Sequence, residues 1–153
     1  MIEEPQRMYL TRLLGLVFLG FLFNTAIAAA NVDISNAWVR PSAPGQEVGA
    51  AYLTLKSTSD TSLIRVESPV ADTIEIHSMT MKDGVMQMRM LDSLPLAAGK
   101  PAKLEPGGFH LMLFDLKKPL KTGEQVEFTL HFKDAAGKTS IQAVVLPVKA
   151  RAD

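Results

Sequence analysis

A methionine-rich stretch, residues 73–91, decides the fold, and it reads TIEIHSMTMKDGVMQMRML. Polar and apolar residues alternate on both sides of Asp83-Gly84. An Asp-Gly pair between two alternating runs is the strongest short-range signal for a β-hairpin with a two-residue turn. The stretch therefore predicts two antiparallel strands in which Lys82 lies opposite Val85.

The rest of the chain after residue 30 also reads as short strands separated by turns. The further strand candidates are bounded by proline, glycine or polar residues, and they cover 37–40, 50–56, 63–67, 109–116, 125–133 and 139–148. Residues 94–104 contain two prolines and a glycine and are predicted to be irregular. About eight short strands without a helical period predict an all-β antiparallel sandwich or small barrel.

The composition excludes several classes of protein. A chain of 153 residues suits one domain, and 16 basic residues balance 16 acidic ones. This balance gives no electrostatic footprint for nucleic acid. The chain has no cysteine, which excludes disulfides, thiolate zinc sites, iron–sulfur clusters, cysteine nucleophiles and the blue-copper ligand set. Soft-metal chemistry in this chain must therefore use methionine.

The first 30 residues are predicted to be an export signal. Arg7 and Arg12 precede an apolar run over 13–23, and the small residues of the Ala-Ile-Ala sequence at 26–28 suit a cleavage site. The alternative is an uncleaved anchor helix, because the charge-free stretch 13–30 could barely span a bilayer. With cleavage, residues 31–153 form one periplasmic β domain that we expect to be soluble and not embedded in a membrane.

The predicted hairpin gathers most of the methionines on one face. Side chains alternate between the two faces of a strand. The register set by Asp83-Gly84 therefore gives three facing pairs, Met81 with Met86, Met79 with Met88, and His77 with Met90. All six side chains share one face of the hairpin.

A second strand candidate, 109–116, adds two more soft donors. Its alternation places His110 and Met112 on one face, while Phe109, Leu111 and Leu113 lie on the other. We expect the aliphatic face to pack in the core. His110 and Met112 are then free to meet the hairpin.

Thioether sulfur and imidazole nitrogen on one face favour copper(I), a soft cation. These donors are neutral, so they bind without losing a proton. We expect no carboxylate on this face, and calcium or magnesium would need one. The alternative is that the methionines fill an irregular core or form an adaptable apolar surface. Two histidines in the same register favour the metal site.

With these residues in place, the chain resembles the periplasmic copper chaperone family PCu(A)C. The family motif is His or Met, ten residues, Met, twenty-one residues, His, one residue, Met. Here residues 78–87 separate His77 from Met88, and residues 89–109 separate Met88 from His110-Leu111-Met112. The segments AWVR at 37–40 and VGAAYL at 48–53 are also similar to this family.

The resemblance implies a cupredoxin-like Greek-key β-barrel and one bound copper(I). It identifies the ligands as His77, Met88, His110 and Met112. It also implies delivery of copper to the binuclear copper centre of cytochrome c oxidase, alongside Sco-type thiol–disulfide proteins. The chain ends in VKARAD, without the histidine- and methionine-rich tail that takes copper(II) in some relatives.

The remaining residues receive smaller roles. Met79 is the best candidate for a substitute ligand or for a supporting sulfur beside the ligands, and Met81, Met86 and Met90 form either an apolar docking rim or ordinary packing. His131 lies on the polar face of its alternating strand and is expected to be a surface residue, while Trp38 is expected to anchor the core. We expect no enzymatic activity, because no nucleophile elbow or carboxylate pair stands out. The rival function is periplasmic copper buffering or resistance without a dedicated client.

Overall fold

The structure is a computed structural model that describes residues 31–150. The predicted export signal, residues 1–30, lies outside the described residues, and so do residues 151–153. Ten strands follow one another along the described chain: β1 (Val32–Val39), β2 (Gly49–Ser57), β3 (Thr61–Glu67), β4 (Thr73–Lys82), β5 (Val85–Leu91), β6 (Leu94–Leu96), β7 (Pro101–Leu104), β8 (Phe109–Phe114), β9 (Gln125–Asp134) and β10 (Thr139–Pro147). None of the described residues forms a helix long and apolar enough to cross a membrane.

The ten strands form two sheets, which confirms the predicted all-β class. The six-stranded sheet has the order β1-β2-β7-β8-β4-β5, and the four-stranded sheet has the order β10-β9-β3-β6. The pairing is antiparallel except between β7 and β8, where Leu104 and Phe109 pair in parallel, and at a parallel bridge between Val39 and Val148.

The core contains alternate side chains from both sheets. On β9 the predicted alternation is confirmed, because Phe128 and Phe132 are buried while His131 lies on the opposite, polar face. Leu111 and Leu113 of β8 are fully buried on the core side of the six-stranded sheet. Burial of this apolar surface is the main force that holds the sheets together. Because side chains alternate along a strand, His110 and Met112 lie on the outer face of the six-stranded sheet.

Three expectations from the sequence need correction. Strand β1 begins at Val32, well before the predicted 37–40. The stretch 94–104, predicted to be irregular, contains β6 and β7. Its prolines are tolerated because β6 is an edge strand and Pro101 begins β7. Phe109 lies at the start of β8 with 39% of its surface exposed, so it is not a core residue.

A bulge in β1 decides where Trp38 lies. Ser35 pairs with Thr54 and Trp38 with Tyr52, so two residues of β1 oppose one residue of β2, and Asn36 has a φ of 50°. The bulge places Trp38 on the same outer face as Tyr52, with ring centroids 4.5 Å apart. Trp38 is buried, as expected, but it packs on the outer face and not between the sheets.

Candidate metal centre

The hairpin of β4 and β5 has the register that the sequence predicts. Asp83 and Gly84 form a two-residue turn with φ values of 52° and 77°, which suits a type I′ turn. Lys82 lies opposite Val85. The pairs on the outer face are Met81 with Met86, Met79 with Met88, and His77 with Met90.

Strand β8 lies beside β4 and brings the second histidine to the hairpin. His77 pairs directly with His110, and their ring centroids are 5.7 Å apart at an interplanar angle of 41°. Met112 lies opposite Glu75 on the same face. The structure therefore brings His110 and Met112 to the hairpin, as the alternation predicts.

A pocket of about 200 Å³ opens on this face. Its lining comes from four strands and two loops of the six-stranded sheet and consists of Arg40, Ala50, Tyr52, Met79, Met88, Pro106, Gly107, His110 and Met112. Three of the four predicted ligands line the pocket. The fourth, His77, lies next to His110, and 12% of its side chain is exposed. Met79, the predicted substitute ligand, also lines the pocket.

Hydrogen bonds hold one ring nitrogen of each histidine. Nδ1 of His110 lies 3.2 Å from the carbonyl oxygen of Gly108, and Nε2 of His77 lies 2.7 Å from Oε2 of Glu75. These contacts assign the proton to Nδ1 of His110 and to Nε2 of His77, because each faces an acceptor. A histidine that binds a metal usually donates its other ring N–H in this way.

The remaining nitrogen of His77 has no partner within the described protein. Its Nδ1 is buried and makes no hydrogen bond. An unpaired buried polar atom is costly, so this nitrogen is the atom of His77 that is available to a further partner. A soft cation is one partner to which the lone pair of a neutral imidazole can donate.

Glu75 is a residue of this face that the sequence analysis missed. We expected no carboxylate on this face, and that expectation is wrong, because Glu75 lies two residues before His77 on β4 and therefore shares its face. The alternation that places His77 could have placed Glu75 as well. The Glu75 carboxylate contacts His77, and the described residues contain no cluster of three or more histidine, cysteine or acidic residues that could hold a metal.

An aromatic wall closes the other side of the pocket. The Arg40 guanidinium lies over the Tyr52 ring, 5.4 Å from its centroid. Burial raises the pKa of the Tyr52 hydroxyl, and the Arg40 charge opposes part of that shift. Tyr52 is therefore neutral at physiological pH, and the wall offers an aromatic face and one cation.

Four of the five hairpin methionines are exposed, which excludes core packing as their role. The exposed fractions are 66% for Met81, 59% for Met86, 57% for Met90 and 45% for Met88. His131 lies on the other sheet, away from this pocket. It is partly exposed, and its Nε2 lies 2.6 Å from Oε2 of Glu67.

Comparison with known proteins gives one family. The LpqE-like family model matches residues 32–145. The relative named "Putative lipoprotein Lxx21020" of Leifsonia xyli subsp. xyli is 37% identical over 124 residues, which cover 79% of this chain and 71% of the relative.

Solved structures of similar proteins include two copper forms. The solution structure of CuI-DR1885 from Deinococcus radiodurans is 30% identical, with a TM-score of 0.56, and the match covers 83% of this chain and 82% of that one. The copper-bound PCuAC domain from PmoF2 is 22% identical, with a TM-score of 0.64, and the match covers 80% of this chain and 96% of that one.

These observations define a two-sheet β domain that carries a histidine- and methionine-lined pocket on the outer face of its larger sheet. The chain belongs to the LpqE-like family, which is the PCuAC family that its motif resembles. The predicted cupredoxin-like β fold is thereby confirmed.

Proposed function

We propose that this protein is a periplasmic copper(I) chaperone that binds one copper(I) through His77, Met88, His110 and Met112. It delivers the ion to the binuclear copper centre of cytochrome c oxidase. The ion is cargo that the protein carries and releases. The proposed role is binding and transfer without enzymatic turnover.

One observation carries this proposal: the cross-strand pair of His77 and His110 beside a methionine-lined pocket. Each imidazole has one nitrogen held by an oxygen acceptor. The other nitrogen keeps its lone pair for a ligand. Two imidazoles and two thioethers are neutral soft donors, a set that suits copper(I) and not the hard cations.

The relatives support the identity of the metal. Both DR1885 and the PCuAC domain from PmoF2 have structures with copper bound, and the DR1885 form carries copper(I). The chain shares the family with them and has the complete His77, Met88, His110 and Met112 spacing. Copper(I) is therefore the metal that this pocket is proposed to accept.

The position of the pocket favours transfer over storage. It opens on the outer face of the sheet and not in the core, and Met88 is 45% exposed. An incoming sulfur donor can therefore reach the ion from solvent and replace one neutral ligand at a time. No proton has to move during such an exchange, and the core side of β8 is not disturbed.

Three observations support the proposed periplasmic location and the proposed client of this protein. Residues 1–30 have the pattern of an export signal, and the family and relative names contain the word lipoprotein. These 153 residues contain no cysteine for lipid attachment. The PCuAC resemblance supports the copper-site subunit of cytochrome c oxidase as the client that receives the copper. It also supports a Sco-type thiol–disulfide protein as a second participant in the delivery.

Two measurements test the proposed function. Competition of the purified protein with a copper(I) chelator should give one tight copper(I) site and little copper(II) binding. In a deletion strain, cytochrome c oxidase activity should fall, and added copper should restore it. An absence of tight copper(I) binding contradicts the metal site. Normal oxidase activity with increased copper sensitivity would instead support buffering.

A further inference from the structure

The outer face of the hairpin holds one pair of donors that the four-ligand site does not use. Met81 and Met86 lie opposite each other next to the turn. They are 66% and 59% exposed, more than any other methionine of the described chain. Side chains that remain exposed to water contribute nothing to the hydrophobic core, so core packing does not account for these two methionines.

The hairpin geometry brings these two thioethers close together. In a hairpin with a two-residue turn, the residues that flank the turn form a hydrogen-bonded pair, here Lys82 and Val85. The next pair, Met81 and Met86, is then a non-hydrogen-bonded pair, in which side chains approach most closely.

The neighbouring pair on the same face confirms this alternation. The backbone N–H of Met79 donates to the carbonyl oxygen of Gly108 at 3.0 Å, so it points toward β8 and away from β5. Met79 and Met88 are therefore also a non-hydrogen-bonded pair. The two pairs lie two residues apart along each strand, on one face, and the inner pair lines the pocket.

We propose that Met81 and Met86 form a second, weaker copper(I) site at the tip of the hairpin. Incoming copper(I) passes through this weaker site to Met79 and Met88 and is held at equilibrium in the tight site, and it leaves by the reverse route. This inference rests on the proposed function, because it adds an outer step to the same copper site. The tip site is weaker because it offers two thioethers and no imidazole.

The transfer step needs no further reactant. The ion keeps its single positive charge, and a copper–sulfur bond to Met81 or Met86 breaks as one to Met79 or Met88 forms. Thioethers are neutral before and after the step, so no proton or electron is exchanged. Long, unbranched methionine side chains have the flexibility for such an exchange.

Methyl NMR of the full-length protein, labelled at the methionine ε-methyl groups, tests the proposal. Copper(I) is added stepwise under anaerobic conditions. The first equivalent should shift the methyl signals of Met88 and Met112. Excess copper(I) should then shift those of Met81 and Met86, as a separate and weaker event.

Matched variants identify the tip site. Met81→Leu/Met86→Leu keeps the apolar surface but removes both sulfurs, so the weaker event should be lost while the tight site is unchanged. Met86→Leu/Val85→Met keeps the number of methionines but moves one to the other face, and it should also lose the weaker event. Met90→Leu removes a methionine of similar exposure at the far end of the face and should retain it.

The outcomes separate this inference from the proposed function. If Met88 and Met112 shift but Met81 and Met86 never do, the tip site does not exist and the tight site stands. If the double leucine variant retains the weaker event, the tip assignment is overturned. If no methionine signal responds to copper(I), the tip site and the proposed function both fail.

Discussion

His77 and His110 lie directly opposite each other on adjacent strands, with ring centroids 5.7 Å apart. The two residues are far apart in sequence, and only the pairing of β4 with β8 brings them together. Their anchors differ, because His77 is held by the Glu75 carboxylate and His110 by the Gly108 carbonyl. The pair therefore presents two fixed imidazoles with different free nitrogens, Nδ1 on His77 and Nε2 on His110.

The first prediction concerns the three histidines. His77→Ala and His110→Ala should each weaken copper(I) binding by more than about tenfold, since even loss of a residue that only supports a ligand typically costs ten- to hundredfold. His131→Ala should leave copper(I) affinity unchanged, because His131 lies on the other sheet and contacts Glu67. Chelator competition measures all three. Equal losses in the three variants would contradict the assignment.

A second prediction assigns Glu75 as a positioning residue for His77. Glu75→Ala removes the acceptor at 2.7 Å from Nε2, so His77 can rotate or change tautomer, and copper(I) binding should weaken by about ten- to hundredfold. Glu75→Gln keeps an oxygen acceptor and should restore most of the affinity. Nitrogen NMR of the His77 ring should show the proton moving away from Nε2 only in the alanine variant. An unchanged tautomer and affinity in that variant would exclude the positioning role.

Local sequence rules predict the hairpin well but not its surroundings. Asp83-Gly84 fixes the turn, the turn fixes the register, and the alternation then places all three outer pairs. The arrangement of the strands in the two sheets does not follow from local sequence rules. The order of the strands and the β1 bulge depend on packing between distant segments, so Trp38, expected to anchor the core, is buried but packs on the outer face.

In the candidate site too, the features set by local alternation are predictable from the sequence, and those set by long-range packing are not. The facing of His110 and Met112 toward the hairpin follows from alternation and is confirmed by the β4–β8 pairing. Arg40 and Tyr52 reach the pocket because β1 pairs with β2 and β2 pairs with β8, and no local pattern encodes these pairings. Glu75 could have been predicted from the sequence, because the two-residue period of a strand places Glu75 on the same face as His77.

A third prediction tests the turn. Gly84 has a φ of 77°, and a Cβ added there would meet nothing within 4 Å. The cost of Gly84→Ala is therefore conformational, about 1 kcal/mol in the free energy of unfolding. Asp83→Gly, at a φ of 52°, should cost less because glycine adopts this region freely. Urea denaturation measures both variants, and an equal or larger loss for Asp83→Gly would contradict the type I′ turn.

A fourth prediction concerns acid stability. The hydrogen bond from His131, assisted by Arg65, holds the pKa of the Glu67 carboxyl below its usual value of 4.5. A lowered pKa stabilises the fold above about pH 4.5, and this contribution is lost as the pH falls through the lower folded-state value. His131→Ala should therefore reduce stability modestly at neutral pH, with the difference from the parent shrinking below pH 4.5. Thermal unfolding across this pH range is the measurement, and a difference that grows toward low pH would refute the assignment.

The last prediction separates a ligand from its neighbours on the same face. Met88 lines the pocket and is 45% exposed. Replacing it by leucine nearly preserves the volume, and such a change usually costs less than about 1.5 kcal/mol in stability even in a core. Met88→Leu should therefore fold normally, bind copper(I) more weakly and fail to load the client. Met90→Leu changes the same side chain two residues away, outside the pocket lining, and should bind copper(I) nearly as the parent does. Chelator competition, thermal unfolding and the rate of copper transfer are compared for the two variants. If Met88→Leu binds copper(I) as tightly as the parent, the thioether of Met88 is not a ligand, and Met79 on the facing strand becomes the sulfur to test.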